Sequence, residues 1–120
     1  MQQTKWVFDH HRLHAWHVAL EALVRGNALA KETPRGHGAL VDQLKRALSG
    51  MYTQTTEASA RTGADRLSRF RIARAEAGEA AGAIEALQVL GLVDAGRSDT
   101  VLGLLWRLCA MLTKLSRIGR

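Results

Sequence analysis

Five arginines lie between positions 61 and 74, in a stretch whose single acid is Asp65. A guanidinium group pairs with two phosphate oxygens at once, so such a cluster on one helix is typical of a phosphate-binding surface. The alternative is a solvent-exposed face, partly neutralised by Glu57, Glu76 or Glu79 across the fold. The candidate nucleic-acid-binding residues are Arg61, Arg66, Arg69, Arg71, Arg74, Lys45 and Arg46. Lys114, Arg117 and Arg120 could enlarge the surface further, although Arg117 and Arg120 also suit the dipole of the last helix.

Histidines form a second group with potential chemistry. His10, His14 and His17 are spaced by four and three, so they share one face of a predicted helix, and His11 lies three residues before His14. Two imidazoles one turn apart can hold a transition metal. No carboxylate or cysteine at a defined spacing completes a ligand set, so we predict no metal and no cofactor. The histidines then form a polar helix face or a subunit contact.

Catalysis has no clear sequence signal. Glu76, Glu79 and Glu85 lack the Glu-x-x-His partners of a two-metal bundle, and we expect Glu79 to pair with an arginine. Cys109 lies in an apolar run, which favours a core thiol. The chain has no glycine-rich phosphate loop, nucleophile elbow or zinc-finger spacing. The sequence therefore predicts a protein that is not an enzyme.

Composition narrows the class of partner. The formal net charge is +6 and the pI is near 10.4, which permits binding to nucleic acid or to another anionic surface. Aromatic residues make up 5% of the chain. Phe70 is assigned to the core and Tyr52 is the only other candidate platform, so stacking on single-stranded bases is not expected. Charged residues interrupt every apolar run, which excludes a membrane span and favours the cytoplasm.

Four helices should position these residues. The pattern predicts helices over 9–31, capped by Asp9, over 39–60 and over 65–90, and a fourth that is capped by Ser98 or Asp99. Three short loops between four long helices predict an all-α, antiparallel up-down-up-down four-helix bundle. It would form one domain over 1–120, with a short extension over about 1–8. The polar second half of the second helix is its least certain part.

Glycines and the last helix predict close contacts. Gly78 and Gly82 cost helix propensity, which indicates a close helix approach at both positions. Along the last helix an inward stripe is formed by Val101, Leu105, Leu108, Leu112 and Leu115. More apolar residues remain than one buried face needs, which predicts self-association. The residues assigned to that interface are Leu102, Leu104, Trp106, Met111 and Ile118.

Four segments resemble a bacterial four-helix bundle family that includes the proteins encoded in intervening sequences of 23S ribosomal RNA. Segment 13–19, LHAWHVA, is similar to the family's Leu-x-Val-Trp-x-x-Ala pattern. The others are 34–38, PRGHG, leading into 42–47, DQLKRA; 69–74, RFRIAR, followed by Glu79; and 110–115, AMLTKL. The stretch 52–59, YTQTTEAS, departs from the family, which has a proline and an Asn-Ile-Ala-Glu-Gly run there.

The resemblance implies a ring-shaped homopentamer with a binding or scaffolding role. It extends to the accessory proteins of diversity-generating retroelements, which share the bundle, form pentamers and bind nucleic acid beside a reverse transcriptase. From these features we expect a non-enzymatic bacterial protein that self-associates and binds RNA or DNA through its basic surface. The alternative is a structural adaptor ring that binds a partner protein.

Overall fold

The computed structural model describes residues 5–117, and all their regular structure is helical. A 3-10 turn at Asp9–Arg12 precedes four α-helices, which are α1 (His14–Glu32), α2 (Gly38–Ser59), α3 (Gly63–Val89) and α4 (Ala95–Leu115). No β-strand occurs within this part of the chain. The all-α, four-helix prediction is confirmed. Within the same residues, no helix combines the length and apolar character needed to cross a membrane.

The start of the first helix differs from its prediction. Asp9 does not cap α1, because Asp9–Arg12 forms a separate 3-10 turn and Leu13 is extended, with φ −97° and ψ 112°. The Phe8 amide donates to His11 Nδ1 at 3.0 Å, and His17 Nε2 lies 2.8 Å from the His11 carbonyl oxygen. These side-chain contacts with the backbone compete with continuous helical hydrogen bonding and hold the turn apart from α1.

The cap of the last helix was also wrongly assigned. Asp94, rather than Ser98 or Asp99, is the N-cap of α4, and its Oδ2 accepts a hydrogen bond from the Arg97 amide at 2.7 Å. Ser98 is buried inside the first turns, where its hydroxyl donates to the Ala95 carbonyl at 3.0 Å. Several cap-forming residues follow one another in this segment, and the structure selects the earliest of them.

The polar half of α2 remains helical because its hydroxyls bond within the helix. Thr55 donates to the Met51 carbonyl at 2.8 Å and Thr56 donates to the Tyr52 carbonyl at 3.0 Å. Thr55 is fully buried, yet its hydroxyl has a partner, so the desolvation cost of an unpaired donor is avoided. The uncertain part of the second predicted helix is therefore confirmed as helix.

The core lies between four helices that each contact two others. α1 packs against α2 and α4, and α3 packs against the same two helices. Phe70 is fully buried, as predicted. The other buried positions of α3 are mostly alanines, and their small side chains let α2 and α4 approach α3 closely. The largest fully buried side chains include Phe70, Leu29, Leu44, Leu48, Met51, Ile84, Leu87, Leu105, Leu108 and Leu112.

The glycines that permit close packing are not the predicted ones. A β-carbon at Gly78 or Gly82 would meet nothing within 4 Å, so the close approach predicted there is wrong. A β-carbon at Gly26 would lie 2.6 Å from Leu48 Cδ1, and one at Gly50 would collide with the Glu76 carboxyl group. Gly78 and Gly82 are exposed, whereas Gly26 is buried against α2.

Hydrogen bonds between helices show which helix ends meet. Near the start of α1, Trp16 Nε1 donates to Thr56 Oγ1 of α2 at 2.9 Å. Near the start of α3, Arg69 Nη1 donates to Gln54 Oε1 of α2 at 3.2 Å, and Arg71 contacts the end of α4. The first parts of α1 and α3 therefore lie beside the last parts of α2 and α4.

The opposite end is held by a second set of contacts. Gln88 Nε2 of α3 donates to Ser98 Oγ of α4 at 2.9 Å. The Asp94 amide donates to Glu32 Oε1 of α1 at 2.9 Å. The last parts of α1 and α3 thus meet the start of α4.

Candidate nucleic-acid interface

Positive charge is concentrated at one end of the fold. We define the basic end as residues 5–24, 48–76 and 110–117, which the contacts of Trp16, Arg69 and Arg71 bring together. These residues include nine lysines and arginines and five acidic residues. The rest of 5–117 includes seven lysines and arginines and six acidic residues. Most of the net positive charge of the described chain therefore lies at the basic end.

Part of the predicted arginine cluster is held by acids and backbone groups. Arg61 Nη2 lies 3.1 Å from Glu57 Oε2, and Arg69 Nε lies 3.2 Å from Asp65 Oδ1. Arg66 Nη1 donates to the Ala58 carbonyl at 3.0 Å, and its guanidinium lies 5.0 Å from the centre of the Phe70 ring. These three arginines fasten the start of α3 to the end of α2, and two of them are partly neutralised.

The remaining arginines face α4 and meet further cations there. Arg71 Nη2 lies 3.5 Å from the Ser116 carbonyl oxygen, and Arg74 Nε donates to Thr113 Oγ1. Lys114 and Arg117 are exposed at the same end of α4. We call Arg71, Arg74, Lys114 and Arg117 the cationic quartet. None of the four forms an ion pair with another residue of the described chain.

The structure thus divides the predicted cluster between two sides of α3. Arg61, Arg66 and Arg69 serve the contact with α2, and the other two arginines join the end of α4. Four cations without acidic partners can attract the phosphates of a nucleic acid more strongly than arginines that already neutralise carboxylates. Lys114 and Arg117, two of the cations that could enlarge the predicted surface, therefore join the candidate interface, whereas Arg120 lies outside the described residues.

Lys45 and Arg46 lie outside the basic end, within one turn of the residue where its α2 part begins. Lys45 is about 16 Å along the α2 axis from Thr56, at 1.5 Å per residue. Arg46 instead lines a small cavity of about 140 Å³ together with Glu76 and Glu79. Burial, and then the hydrogen bond and charge of Glu79, raise the pKa of Glu76, while Arg46 lowers it. The ion pair expected between Glu79 and an arginine is absent from the described residues.

The histidines surround an aromatic side chain. The rings of His10, His11 and His17 lie 4.5, 5.2 and 5.0 Å from the Trp16 ring, centre to centre. Burial, and then the charge of His11, lower the pKa of His10. His10 belongs to the 3-10 turn, so it does not share one continuous helix face with His14 as predicted. No group of three potential metal-binding side chains occurs within 5–117.

An aromatic cavity opens beside this cluster. Phe8 stacks on His10 with ring centres 5.7 Å apart and planes 6° from parallel, and Tyr52 lies 5.9 Å from Trp16. The cavity, of about 400 Å³, is lined by Phe8, Asp9, His10, Tyr52, Thr53, Thr56, Glu57, Ser59 and Ala60. Sequence reasoning missed Phe8 because it precedes the predicted helix. The only signal was the density of aromatic and histidine residues over 6–17.

Much of the apolar surplus predicted for α4 is buried inside the chain itself. The inward stripe is confirmed for Val101, Leu105, Leu108 and Leu112, while Leu115 is half-buried. Of the residues assigned to a subunit interface, Leu104 is only 7% exposed and belongs to the core. The others differ widely: Leu102 and Met111 are half-buried, Trp106 is 74% exposed, and Ile118 lies outside the described residues.

Cys109 is the one cysteine of the chain, and it is half-buried against α3. Its Sγ lies 4.0 Å from the Arg74 carbonyl oxygen. Burial raises the pKa of the Cys109 thiol, although the charge of Arg74 opposes this effect. A raised pKa leaves little thiolate at neutral pH, as in a packing thiol rather than a nucleophile.

No protein-family model matches the chain, and no curated protein matches it. The resemblance to the intervening-sequence proteins therefore stays a prediction that depends on the four sequence segments.

Proposed function

We propose that this chain is a non-enzymatic, self-associating bundle that binds the phosphate backbone of nucleic acid at its basic end. The observation that carries the proposal is the cationic quartet, which joins α3 to the end of α4 without an acidic partner in the described chain. These cations can bind phosphate oxygens at little cost in free energy, because no ion pair with a carboxylate has to be broken first. On this account the protein acts in the cytoplasm.

Recognition by the quartet is electrostatic and indifferent to base sequence. Its members are two arginines on α3 with Lys114 and Arg117 beside them, and no side chain of the quartet is arranged to select one base. Phosphate contacts position a strand, whereas base contacts specify it. We therefore expect affinity for many RNA and DNA sequences, with RNA and DNA distinguished only weakly.

The proposed topology is an antiparallel up-down-up-down bundle. It is supported by the meeting of the start of α1 with the end of α2, and of the start of α3 with the ends of α2 and α4. This order matters for function, because it brings the arginines at the start of α3 and the cations at the end of α4 to the same end.

Self-association would repeat the basic end. Trp106 is exposed on α4, and its neighbours one turn away on the same face, Gly103 and Ala110, are small. Tryptophan is enriched among the residues that contribute most of the binding energy at protein interfaces. The family resemblance implies five copies. Several basic ends on one particle would bind one long strand with avidity.

Salt dependence tests the proposal. Four phosphate contacts on a single strand predict a slope of about −3 for the logarithm of the association constant against the logarithm of salt concentration. Affinity should then fall by roughly 50-fold between 50 and 200 mM salt. Fluorescence anisotropy with a labelled 20-nucleotide RNA measures this. No binding at 50 mM, or an affinity that ignores salt, would refute the proposal.

The exposed Trp106 also favours a second function, that of a structural adaptor whose ring binds a partner protein. In this case the basic end serves solubility, and the purified protein has no affinity for nucleic acid at moderate salt. The ratio of absorbance at 260 and 280 nm of freshly purified protein distinguishes the two functions, since a nucleic-acid binder retains some of its ligand.

A further inference from the structure

We infer that the aromatic cavity accepts an unpaired nucleobase, so that the protein prefers single strands to duplexes. This inference depends on the proposed function, because the cavity would act on a strand that the basic end already holds. It adds base stacking to the phosphate contacts, and thereby names single-stranded nucleic acid as the ligand class.

The cavity has the shape and the surface for stacking. Phe8 is 59% exposed, and its ring already lies parallel to that of His10, within 6°. Tyr52 lines the same cavity from α2. An exposed aromatic face attracts any base, since every base has a π-surface, and the gain is typically about 1–3 kcal/mol for each stacked base.

Cations lie next to the cavity lining. Glu57, which lines the cavity, pairs with Arg61 at 3.1 Å. Arg66 donates to the carbonyl of Ala58, between the lining residues Glu57 and Ser59. A nucleotide whose base entered the cavity would have these two guanidinium groups beside the lining, where each already has a partner in the described chain. Charge complementarity thus favours a nucleotide over an uncharged aromatic ligand.

The two carboxylates of the cavity suit the base rather than the phosphate. Asp9 and Glu57 line the cavity and would repel a phosphate group inside it. Carboxylate oxygens accept hydrogen bonds from the exocyclic amino groups of bases, as in contacts to cytosine. The charge pattern therefore orients a nucleotide with its base inward and its phosphate toward the arginines.

A duplex cannot use this cavity without losing a base pair. Extracting a base from the stack costs a few kcal/mol, and the cost is lowest when the base is already unpaired. A surface that recognises charge alone would instead favour the duplex, because a duplex carries phosphates at a higher density. A preference for single strands is therefore a signature of the cavity.

The sequence does not indicate base stacking, because the aromatic residues of the cavity are far apart along the chain. Phe8 and His10 come from the segment before α1, whereas Tyr52 comes from the second half of α2. The contact between Trp16 and Thr56 brings these two parts of the chain together.

Two substitutions at one position test the inference. Phe8→Leu keeps an apolar side chain but removes the aromatic face, whereas Phe8→Tyr keeps the ring. Affinities are measured by anisotropy at 50 mM salt, for a labelled 20-nucleotide RNA and for its duplex. We expect the parent protein to prefer the single strand and Phe8→Leu to weaken single-strand binding by roughly 5- to 150-fold. Phe8→Tyr should retain the parent affinity, and duplex binding should change in neither variant.

The outcomes separate this inference from the proposed function. Equal affinity of the parent protein for single strand and duplex overturns the inference alone, and so does unchanged single-strand binding in Phe8→Leu. Equal weakening of both ligands by Phe8→Leu also overturns it, because the ring would then act through the fold. Failure of the parent protein to bind either ligand overturns both proposals. Circular dichroism verifies that the exposed position leaves the helices intact.

Discussion

Reversing two charges at the end of α4 is expected to weaken RNA binding on the order of 30-fold or more. Lys114 and Arg117 are exposed and form no ion pair in the described chain, so Lys114→Glu with Arg117→Glu removes two phosphate contacts. Each contact at about 4 Å contributes about 1 kcal/mol even at the dielectric constant of water, and the new carboxylates add repulsion. Anisotropy at 100 mM salt with the labelled single strand measures the loss.

The chain offers a matched control at the other end. Lys31 lies in the last turn of α1 and Arg35 follows it in the loop, just as Lys114 and Arg117 lie at the end of α4. Lys31→Glu with Arg35→Glu changes the net charge equally and opposes a helix dipole in the same way. We expect the control to retain its affinity for RNA within about twofold, because salt screens the long-range effect of the changed net charge. Equal losses in both variants would mean that total charge, not the basic end, governs binding.

Removing the exposed tryptophan of α4 is expected to dissociate the proposed oligomer. Trp106 is 74% exposed in the single chain, so its side chain contributes little to the core. Central aromatic residues of interfaces often contribute about 2 kcal/mol or more to binding. In a ring-shaped oligomer the substitution would remove this contribution at every contact between subunits. Trp106→Ala should therefore convert the oligomer to protomers at micromolar concentration. Sedimentation velocity measures the mass, and circular dichroism should show unchanged helix content.

A second exposed apolar residue provides the comparison. Val89 is 85% exposed at the end of α3, and Val89→Ala should leave the oligomer intact. RNA affinity should fall in Trp106→Ala, because the protomer loses avidity, and it should stay unchanged in the control. A parent protein that sediments as a protomer at micromolar concentration contradicts the self-association part of the account.

The positions of the helices were largely predictable, because the spacing of apolar residues along the sequence shows which side chains are buried. The stripes through Phe70 and through Leu105 and Leu108 recur at three and four residues, and the structure buries all three side chains. Helix termini were less predictable, because their choice depends on local competition. Asp94 and Ser98 are both good caps in isolation, and the burial of Ser98 beside Gln88 decides between them.

The second apolar side of α4 shows that the periodicity of a helix does not identify the helices packed against it. The pattern indicates that α4 has more than one buried side, but it does not name the neighbour. α4 packs against both α1 and α3, and this arrangement takes Leu104 into the core of the chain. Only Trp106 remains as a large, mostly exposed apolar side chain on the described part of α4. The case for self-association now depends on that residue instead of on a whole apolar face.

The candidate interface was predictable in composition but not in arrangement. Arg69 and Arg71 are two positions apart, so a helix turns them roughly 200° from each other, and the cluster had to divide. The sequence does not show that α2 lies on one side and α4 on the other. It also gives no reason to bring Phe8 and Tyr52 to the same cavity, because Phe8 precedes the 3-10 turn and Tyr52 lies on α2.

The central claim, that one end of the bundle holds the nucleic acid, is tested most directly by lysine footprinting. The four lysines sample both ends, with Lys5 and Lys114 at the basic end and Lys31 and Lys45 outside it. Acetylation with and without saturating single-stranded RNA, followed by mass spectrometry, measures their protection. The account predicts that RNA protects Lys5 and Lys114 and leaves Lys31 and Lys45 as reactive as before. Equal protection of all four lysines, or protection of Lys31 and Lys45 alone, would contradict it.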